Sequence, residues 1–397
     1  MAAYSAGHAA TRTAASCSQQ DVQSAIDWAS SGDSVLVPAG NCTWNTGISI
    51  PSSSKIKMQG AGIGSTVITA ASYGSLISMN QSGSRVTGFE LVNGYILTDG
   101  VGWRVDHCEI RNTSFKEGVY VRGNMESIHP GGLIDHCTFR NTRVNVYGWA
   151  GLLAHAIWSQ SINLGSVYNT VYVEDCTFTS TDFTNAIDSN YGGRYVFRYN
   201  ILNDTYVEAH SLQGNDRASQ KWEIYNNTFN QVSRSMWVPM FLRGGTGVVF
   251  NNTLTGNWEL AGIALDNVRS CNVVTDSGKC NGTSPWDGNQ AGGNGYPCRD
   301  QIGRSNDQYL WTLPRPYPPQ LLDPAYAWNN KYGGSDVLFF QHGCDESKAH
   351  IRPNRDYFNN IPKPGYKPYT YPHPLVQGWN PTSVAPPSNL HIVDTRP

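Results

Sequence analysis

The apolar and polar positions of this chain follow neither a plain strand rhythm nor a helical one. A six-residue phrase recurs instead: "VDHCEI" at 105–110, "IDHCTF" at 134–139, "VEDCTF" at 173–178, "FRYNIL" at 197–202, "IYNNTF" at 224–229 and "VFNNTL" at 249–254. Its fourth position is Cys or Asn (Cys108, Cys137, Cys176, Asn200, Asn227, Asn252), and a weaker seventh copy puts Cys271 there. An apolar residue stands three positions earlier (Val105, Ile134, Val173, Phe197, Ile224, Val249, Val268). Another stands two positions later (Ile110, Phe139, Phe178, Leu202, Phe229, Leu254, Val273). Strand side chains alternate with period two, so the odd step of three breaks the register once per phrase. A bend at or just before the Cys/Asn position turns both apolar residues inward. Asn suits such a bend, because it tolerates left-handed backbone and bonds locally.

Successive phrases are 29, 39, 24, 27, 25 and 19 residues apart. Repeats of this size signal solenoids or propellers, and no helix-period segment separates them. The predicted fold is all-β, a right-handed parallel β-helix, with Cys and Asn stacked as internal ladders. The longer steps are loops thrown out from the stack, where sites are often built. Residues 20–30 break the rhythm: Val22, Ala25, Ile26 and Ala29 mark one face of a short helix that caps the N-terminal end. The organisation that follows is a flexible lead-in at 1–16, the β-helix at 17–275, an irregular loop-rich C-terminal region at 276–380 and a linker or tail at 381–397. "PKPGYKPYTYPHPL" at 362–375 reads as extended and packed on the outside of the stack.

Composition narrows the class. The 397 residues include 40 Gly, 21 Tyr and 12 Trp but only 15% charged side chains, which fits a β-rich secreted protein. A net charge of −2 gives no basis for a nucleic-acid partner, and no apolar run approaches a membrane span. A monomer is expected. Among nine cysteines, Cys17 and Cys42 flank the first strand pattern and are placed to staple it. Cys271, Cys280, Cys298 and Cys344 lie in irregular sequence where disulfides are useful, so an extracellular location is expected. Cys108, Cys137 and Cys176 lack metal-ligand spacing and read as ladder residues.

Candidate chemistry concentrates at 182–243, where Asp182, Asp188, Arg194, Arg198, Glu208, His210, Arg217, Lys221, Arg234 and Arg243 fall. Neighbouring coils would bring Asp188, His210 and Arg243 together despite their numbering. Arg194, Arg198, Arg217 and Lys221 are candidates for binding substrate carboxylates. Trp149 and Trp158 either stack on sugar rings or pack their long loop onto the helix.

The segment "VEDCTFTSTDFTNAIDSNYGGRYVFRYNIL" (173–202) resembles the central coils of pectate lyases. That resemblance implies calcium at Asp188, with Asp182 near a second acidic position. "NQVSRSMWVPMFLRGGTGVVFNN" (230–252) is similar to the family segment that carries the catalytic arginine, which implies Arg243 or Arg234 in that role. The intervening coil departs from the family, offering Glu208 and His210 where a lysine is expected. "RYVFRYN", "KWEIYNNTF", "GYPCRDQIGR" and "YTYPHPL" are similar to secreted bacterial β-helix proteins.

Three functions fit this sequence. A polysaccharide lyase removes a proton beside a uronate carboxylate and needs cations to neutralise the developing charge, with calcium as a candidate cofactor. His210 is the base that ordinary chemistry prefers, whereas the resemblance prefers Arg243. A glycoside hydrolase would use Asp182 and Asp188 as paired carboxyls. A non-catalytic β-helix, such as an adhesin or a viral tail fibre, would bind glycan without cleaving it.

Overall fold

A computed structural model describes residues 9–80, 83–123, 130–148, 170–210, 218–267, 300–305 and 321–377. Twelve parallel strands form one sheet along the molecule, from Thr11–Thr13 through Val101–Asp106 and Lys221–Tyr225 to Ala325–Trp328 and Tyr357–Asn359. A second set of strands stacks beside it and folds into two further faces, because long strands such as Thr177–Asn190 bend across both. Each coil thus turns through three faces, and the chain is a parallel β-helix.

The repeated phrase forms the corner between the first and second faces. The residue before each ladder position has left-handed backbone: His107, His136, Asp175, Tyr199, Asn226, Asn251 and Asn329 have φ between 51° and 58°. That conformation costs a non-glycine residue about 1–2 kcal/mol, so something at each corner must offset it. The ladder side chains do so. Asn227 Oδ1 accepts the backbone N–H of Asn200 at 2.9 Å, and its Nδ2 donates to the Phe197 carbonyl at 2.9 Å. Asn252 serves Asn227 in the same way, and Asn330 serves Asn252. In the earlier coils Cys108, Cys137 and Cys176 donate Sγ–H to carbonyls at 3.3 Å. All of these ladder side chains are buried.

Two inward rows flank the corner. Val86, Val105, Ile134, Val173, Phe197, Ile224, Val249 and Ala327 pair along the first face. Leu91, Ile110, Phe139, Phe178, Leu202, Phe229 and Leu254 pair along the second. Phe139 and Phe178 stack with ring centroids 4.6 Å apart. Burying each such side chain is worth about 1.5–3 kcal/mol.

The helix spans Gln19–Asp27, with Ser18 capping its N-terminus by accepting from Asp21 N at 3.2 Å. Val22 and Ile26 are buried, Ala25 and Ala29 pack beside them, and Cys17 is bonded to Cys42. The lead-in needs correction, since Thr11–Thr13 pairs in parallel with Ser34–Leu36 as the first rung. The stack also runs past 275. After Asn252 the next rung is Asn330, with Ala327 beside Val249, in place of the copy read at Cys271. Cys271, Cys280, Cys298 and the tail at 381–397 lie outside the described residues; Cys344 is disulfide-bonded.

The segment at 363–376 lies as a strap across the outside of the first sheet. Arg104 donates to the Leu375 and Val376 carbonyls, Arg198 to those of Tyr369 and Thr370, and Tyr371 to Asp175. It covers an apolar patch of Leu133, Tyr172, Val196, Tyr225, Val248 and Phe250. His373, a buried residue of the strap, accepts from Leu375 N through Nδ1; burial, then the charges of Arg198 and Arg104, push its pKa down to about 3.

Asn227→Ala should lower stability by about 3 kcal/mol, because it orphans the Asn200 N–H and the Phe197 carbonyl. Asn226→Ala should cost only about 1 kcal/mol, the left-handed backbone alone, and Asn226→Gly about nothing. Denaturant midpoints of the three variants check the ordering. His373 adds a pH dependence: below its ordinary pKa near 6.5 the unfolded chain takes up a proton that the folded imidazole refuses. Stability should therefore fall by up to about 1.4 kcal/mol per pH unit as pH drops from 6.5 to 5, and His373→Gln should flatten melting temperature across that window.

Candidate functional site

The third face carries the candidate site. Its inward rows are apolar; one runs through Val119, Val144, Ile187, Val207, Met240 and Ile263. Residues between the inward rows point out, and neighbouring coils stack them in register: Tyr120, Asn145, Asp188, Glu208 and Phe241. Two positions further along the coils stand Arg122, Tyr147, Asn190, His210 and Arg243. Backbone bonds from His210 N to Ser189 O and from Arg243 N to Ala209 O fix the last two in line.

Asp188, His210 and Arg243 meet on this outward face, with Glu208 between them. His210 Nε2 lies 3.1 Å from Asp188 Oδ1 and 3.6 Å from Glu208 Oε1. Arg243 Nη2 is ion-paired with the same Glu208 oxygen, and its guanidinium sits 4.9 Å from the Phe241 ring centroid. Asn185 donates to Glu208 Oε2 at 2.8 Å, and the Tyr206 hydroxyl lies 3.3 Å from it. On the other side Tyr147 donates its hydroxyl to Asp188 Oδ2 at 2.6 Å. Arg143 reaches Asp188 at 3.4 Å, Glu117 at 2.9 Å, Asn185 at 3.3 Å and Asn145 at 3.1 Å.

Burial by itself would raise the pKa of Asp188, which is 1% exposed. The bond and charge of His210, then Arg143 and Tyr147, outweigh it and hold the carboxyl below its usual value. The neighbouring phenols move the other way. Burial, then the charge on Asp188, pushes Tyr147 up, and burial, then Glu208, pushes Tyr206 up. The cluster therefore pairs an ionised carboxylate with two phenols that keep their protons. Asn145 Nδ2, His210 Nδ1 and Arg243 Nε are buried with no hydrogen-bond partner among the described residues.

Asp188, Glu208 and His210 each offer one ligand atom, all within 4.8 Å of one another. The donor set does not fit calcium, which takes six to eight oxygen ligands. Here one donor is an imidazole, and Arg143 and Arg243 already neutralise the carboxylates. Asp182, expected nearby, is exposed at the corner between the second and third faces, where its backbone bonds to Ser180.

Other candidates stand elsewhere. Arg194, Arg198 and Lys221 belong to the first sheet and are buried. Arg198 is paired with Glu174 at 2.6 Å and holds the strap, so it is closed to substrate. Lys221 is paired with Asp323, and burial pushes its pKa down to about 8. These three were misplaced because inward and outward positions of the first sheet read alike once a strap covers its outside. Arg234 donates to the Ser180 carbonyl at 3.3 Å, away from the His210 cluster. Arg217, Trp149 and Trp158 lie outside the described residues. Sequence reasoning missed Arg143, Tyr147, Tyr206 and Glu117. The signal was their register with Asp188, hidden by coils of unequal length.

The architecture and the outward polar cluster define a parallel β-helix protein with a candidate site on its third face. No family model matches the chain, and no curated protein matches it. Among solved structures it is similar to an alginate lyase from Paenibacillus sp. str. FPU-7, at 17% identity over 63% of this chain and 97% of that one, with a TM-score of 0.39. It is also similar to the catalytic domain of a GH87 alpha-1,3-glucanase, at 12% identity over 91% of this chain and 69% of that one, TM-score 0.36. The A-module of an Azotobacter vinelandii mannuronan C-5 epimerase aligns at 12% identity over 87% of this chain and 96% of that one, TM-score 0.30. The likeness is one of fold.

Arg198→Ala should act on stability and not on ligand binding. It leaves Glu174 buried without its partner and should cost about 3–5 kcal/mol, read from the unfolding midpoint. Binding of any uronate polymer that the wild type takes, measured on the folded fraction, should stay unchanged.

Proposed function

We propose that this protein is a secreted polysaccharide lyase that cleaves an acidic, uronate-containing polysaccharide by β-elimination at the Asp188–Glu208–His210–Arg243 cluster. The observation that carries this reading is the placement of His210 Nε2 between two carboxylates, with a guanidinium on one and a phenol on the other. Held beside these carboxylates and partly exposed, the imidazole is the base that takes a proton from the carbon next to a substrate carboxylate. Asp188 and Glu208 then stabilise the imidazolium. Arg243, beside Glu208 at the same cluster, is the cation for the substrate carboxylate on which charge develops.

The electron pair of the broken C–H bond becomes the new C=C bond as the glycosidic C–O bond breaks. Tyr147 or Tyr206 gives its proton to the leaving oxygen, and the imidazolium proton restores the phenol. Arg243 is not the base in this scheme, since its ion pair with Glu208 favours the protonated guanidinium. The likeness to pectate lyases supports a lyase only through the two segments that carry it. Secretion is supported by the Cys17–Cys42 disulfide. Among the described residues no helix is long and apolar enough to cross a membrane.

A second reading, glycan binding without cleavage, is favoured by the ion pairs that already occupy Arg243 and Arg143. Hydrolysis is favoured less. Asp188 and Glu208 are adjacent carboxylates, yet each faces cations, and a hydrolase needs one carboxyl that keeps its proton.

Ultraviolet absorbance of unsaturated product, followed across a panel of uronate polymers, tests the reading. The wild type should give a rising trace that chelator leaves unchanged. His210→Ala should lower the rate about 100-fold or more, and Arg243→Ala should lower it as well. A flat trace with retained binding would leave the non-catalytic reading, and a chelator-sensitive trace would return a cation to Asp188.

A further inference from the structure

A stripe of tyrosines leads to the His210 cluster from the N-terminal side, and of its members only Tyr147 enters the proposed chemistry. Tyr73, Tyr95, Tyr120, Tyr147 and Tyr191 come from successive coils, and their ring centroids are 5.5, 6.2, 5.6 and 5.4 Å apart. All five are partly exposed. The stripe crosses the third face diagonally. Tyr95 precedes the inward Ile96, Tyr120 follows the equivalent Val119, and Tyr147 pairs with Arg122 one coil earlier and two positions further along. Packing does not require this, because each tyrosine stands outside the apolar rows of its own coil.

Two cations accompany the rings. Lys116 Nζ lies 4.5 Å from the Tyr73 ring centroid, and Arg122 stands beside Tyr120. Neither has an ion-pair partner among the described residues, unlike Arg143 and Arg243 in the cluster itself. Where the stripe begins, Tyr73, Lys116, Asn93 and Asn112 line a cavity of about 200 Å³. At its other end Tyr147 donates to Asp188, so the stripe runs without a break into the candidate site.

We infer that this stripe is an extended binding track for an anionic polysaccharide, with sugar rings lying on the tyrosines and uronate carboxylates meeting Arg122 and Lys116. Strands repeat every ~4.8 Å across a sheet, close to the length of one pyranose unit, so the track offers about one ring per coil. It lies almost wholly on one side of His210. Among the described residues the other side offers Trp237, Phe241 and His342, whose rings lie 4.7–5.9 Å apart. The inference rests on the proposed reading for the nature of the substrate and adds its consequence: long chains are gripped over several units, and short oligosaccharides are bound poorly.

The test measures affinity and cleavage separately. Affinity for a uronate polymer and for its trimer is measured by isothermal titration with the wild type, Tyr95→Leu, Tyr95→Phe, Tyr120→Leu and Arg122→Gln. Leucine keeps apolar volume for folding, and a melting curve confirms the fold. The expected result is polymer affinity about fivefold weaker for each leucine variant, unchanged for Tyr95→Phe, and less salt-sensitive for Arg122→Gln. Trimer affinity should barely move. If the leucine variants keep polymer affinity while the wild type still yields unsaturated product, the track is wrong and the lyase reading stands. If they lose affinity while no unsaturated product forms, the track stands and the lyase reading falls.

Discussion

Everything in this molecule depends on a buried side chain that satisfies the backbone of the coil below it. A left-handed corner repeated seven times, at Asp, His, Tyr or Asn, would be costly in isolation. Each corner becomes tenable because an Asn or Cys immediately after it bonds to main chain that would otherwise be orphaned inside the core. The asparagine bonds run between coils, so those corners are not satisfied until a neighbour has stacked. That reciprocity fixes register along the whole axis. It is the reason residues from five different coils line up on the third face with hydrogen-bond precision.

How much of this was legible follows from spacing. From the first-face apolar residue to the second-face one the step is five in each coil from Val86 and Leu91 to Val249 and Leu254, although it is ten from Met58 to Ile68 in the coil before. A constant step survives any insertion elsewhere, so the corner, the ladder and the fold class can be read directly. From the second face to the third the step varies: nine residues from Ile110 to Val119, five from Phe139 to Val144, nine from Phe178 to Ile187, and eleven from Phe229 to Met240. Period counting fails across such a corner. Asp188, His210 and Arg243 were reached because charge stands out in a chain with only 15% charged residues. Tyr147 and Arg143 required the register itself. Arg194, Arg198 and Lys221 misled for a different reason, since a buried cation tied to a distant strap has no local signature.

The two faces that carry charge use it in opposite ways. On the first sheet, Arg104 and Arg198 meet Asp135 and Glu174 under the strap, where ionic groups and carbonyls close a surface. On the third face the same residue types stand at the edge of solvent, with several nitrogens still unpartnered. An imidazole held by two carboxylates, each also facing a guanidinium, is close to neutral as a group. Such a cluster does not draw in an anion over long range; it presents opposed charges at short range, where geometry decides the outcome.

The long insertion between Asn252 and Asn330 has a consequence for how the protein is made. Most coils close after some two or three dozen residues, but this rung joins ladder positions 78 residues apart. Closure entropy grows only with the logarithm of length, so the penalty in equilibrium terms is slight. In time it is different, because the last two coils cannot dock until that whole stretch has been synthesised, and the strap follows them. The strap then bonds to Arg104 and Arg198, tying the end of the chain back over coils formed early. Assembly is thus ordered from one end, and the final event is a clasp whose release would govern the rate of unfolding more than its extent.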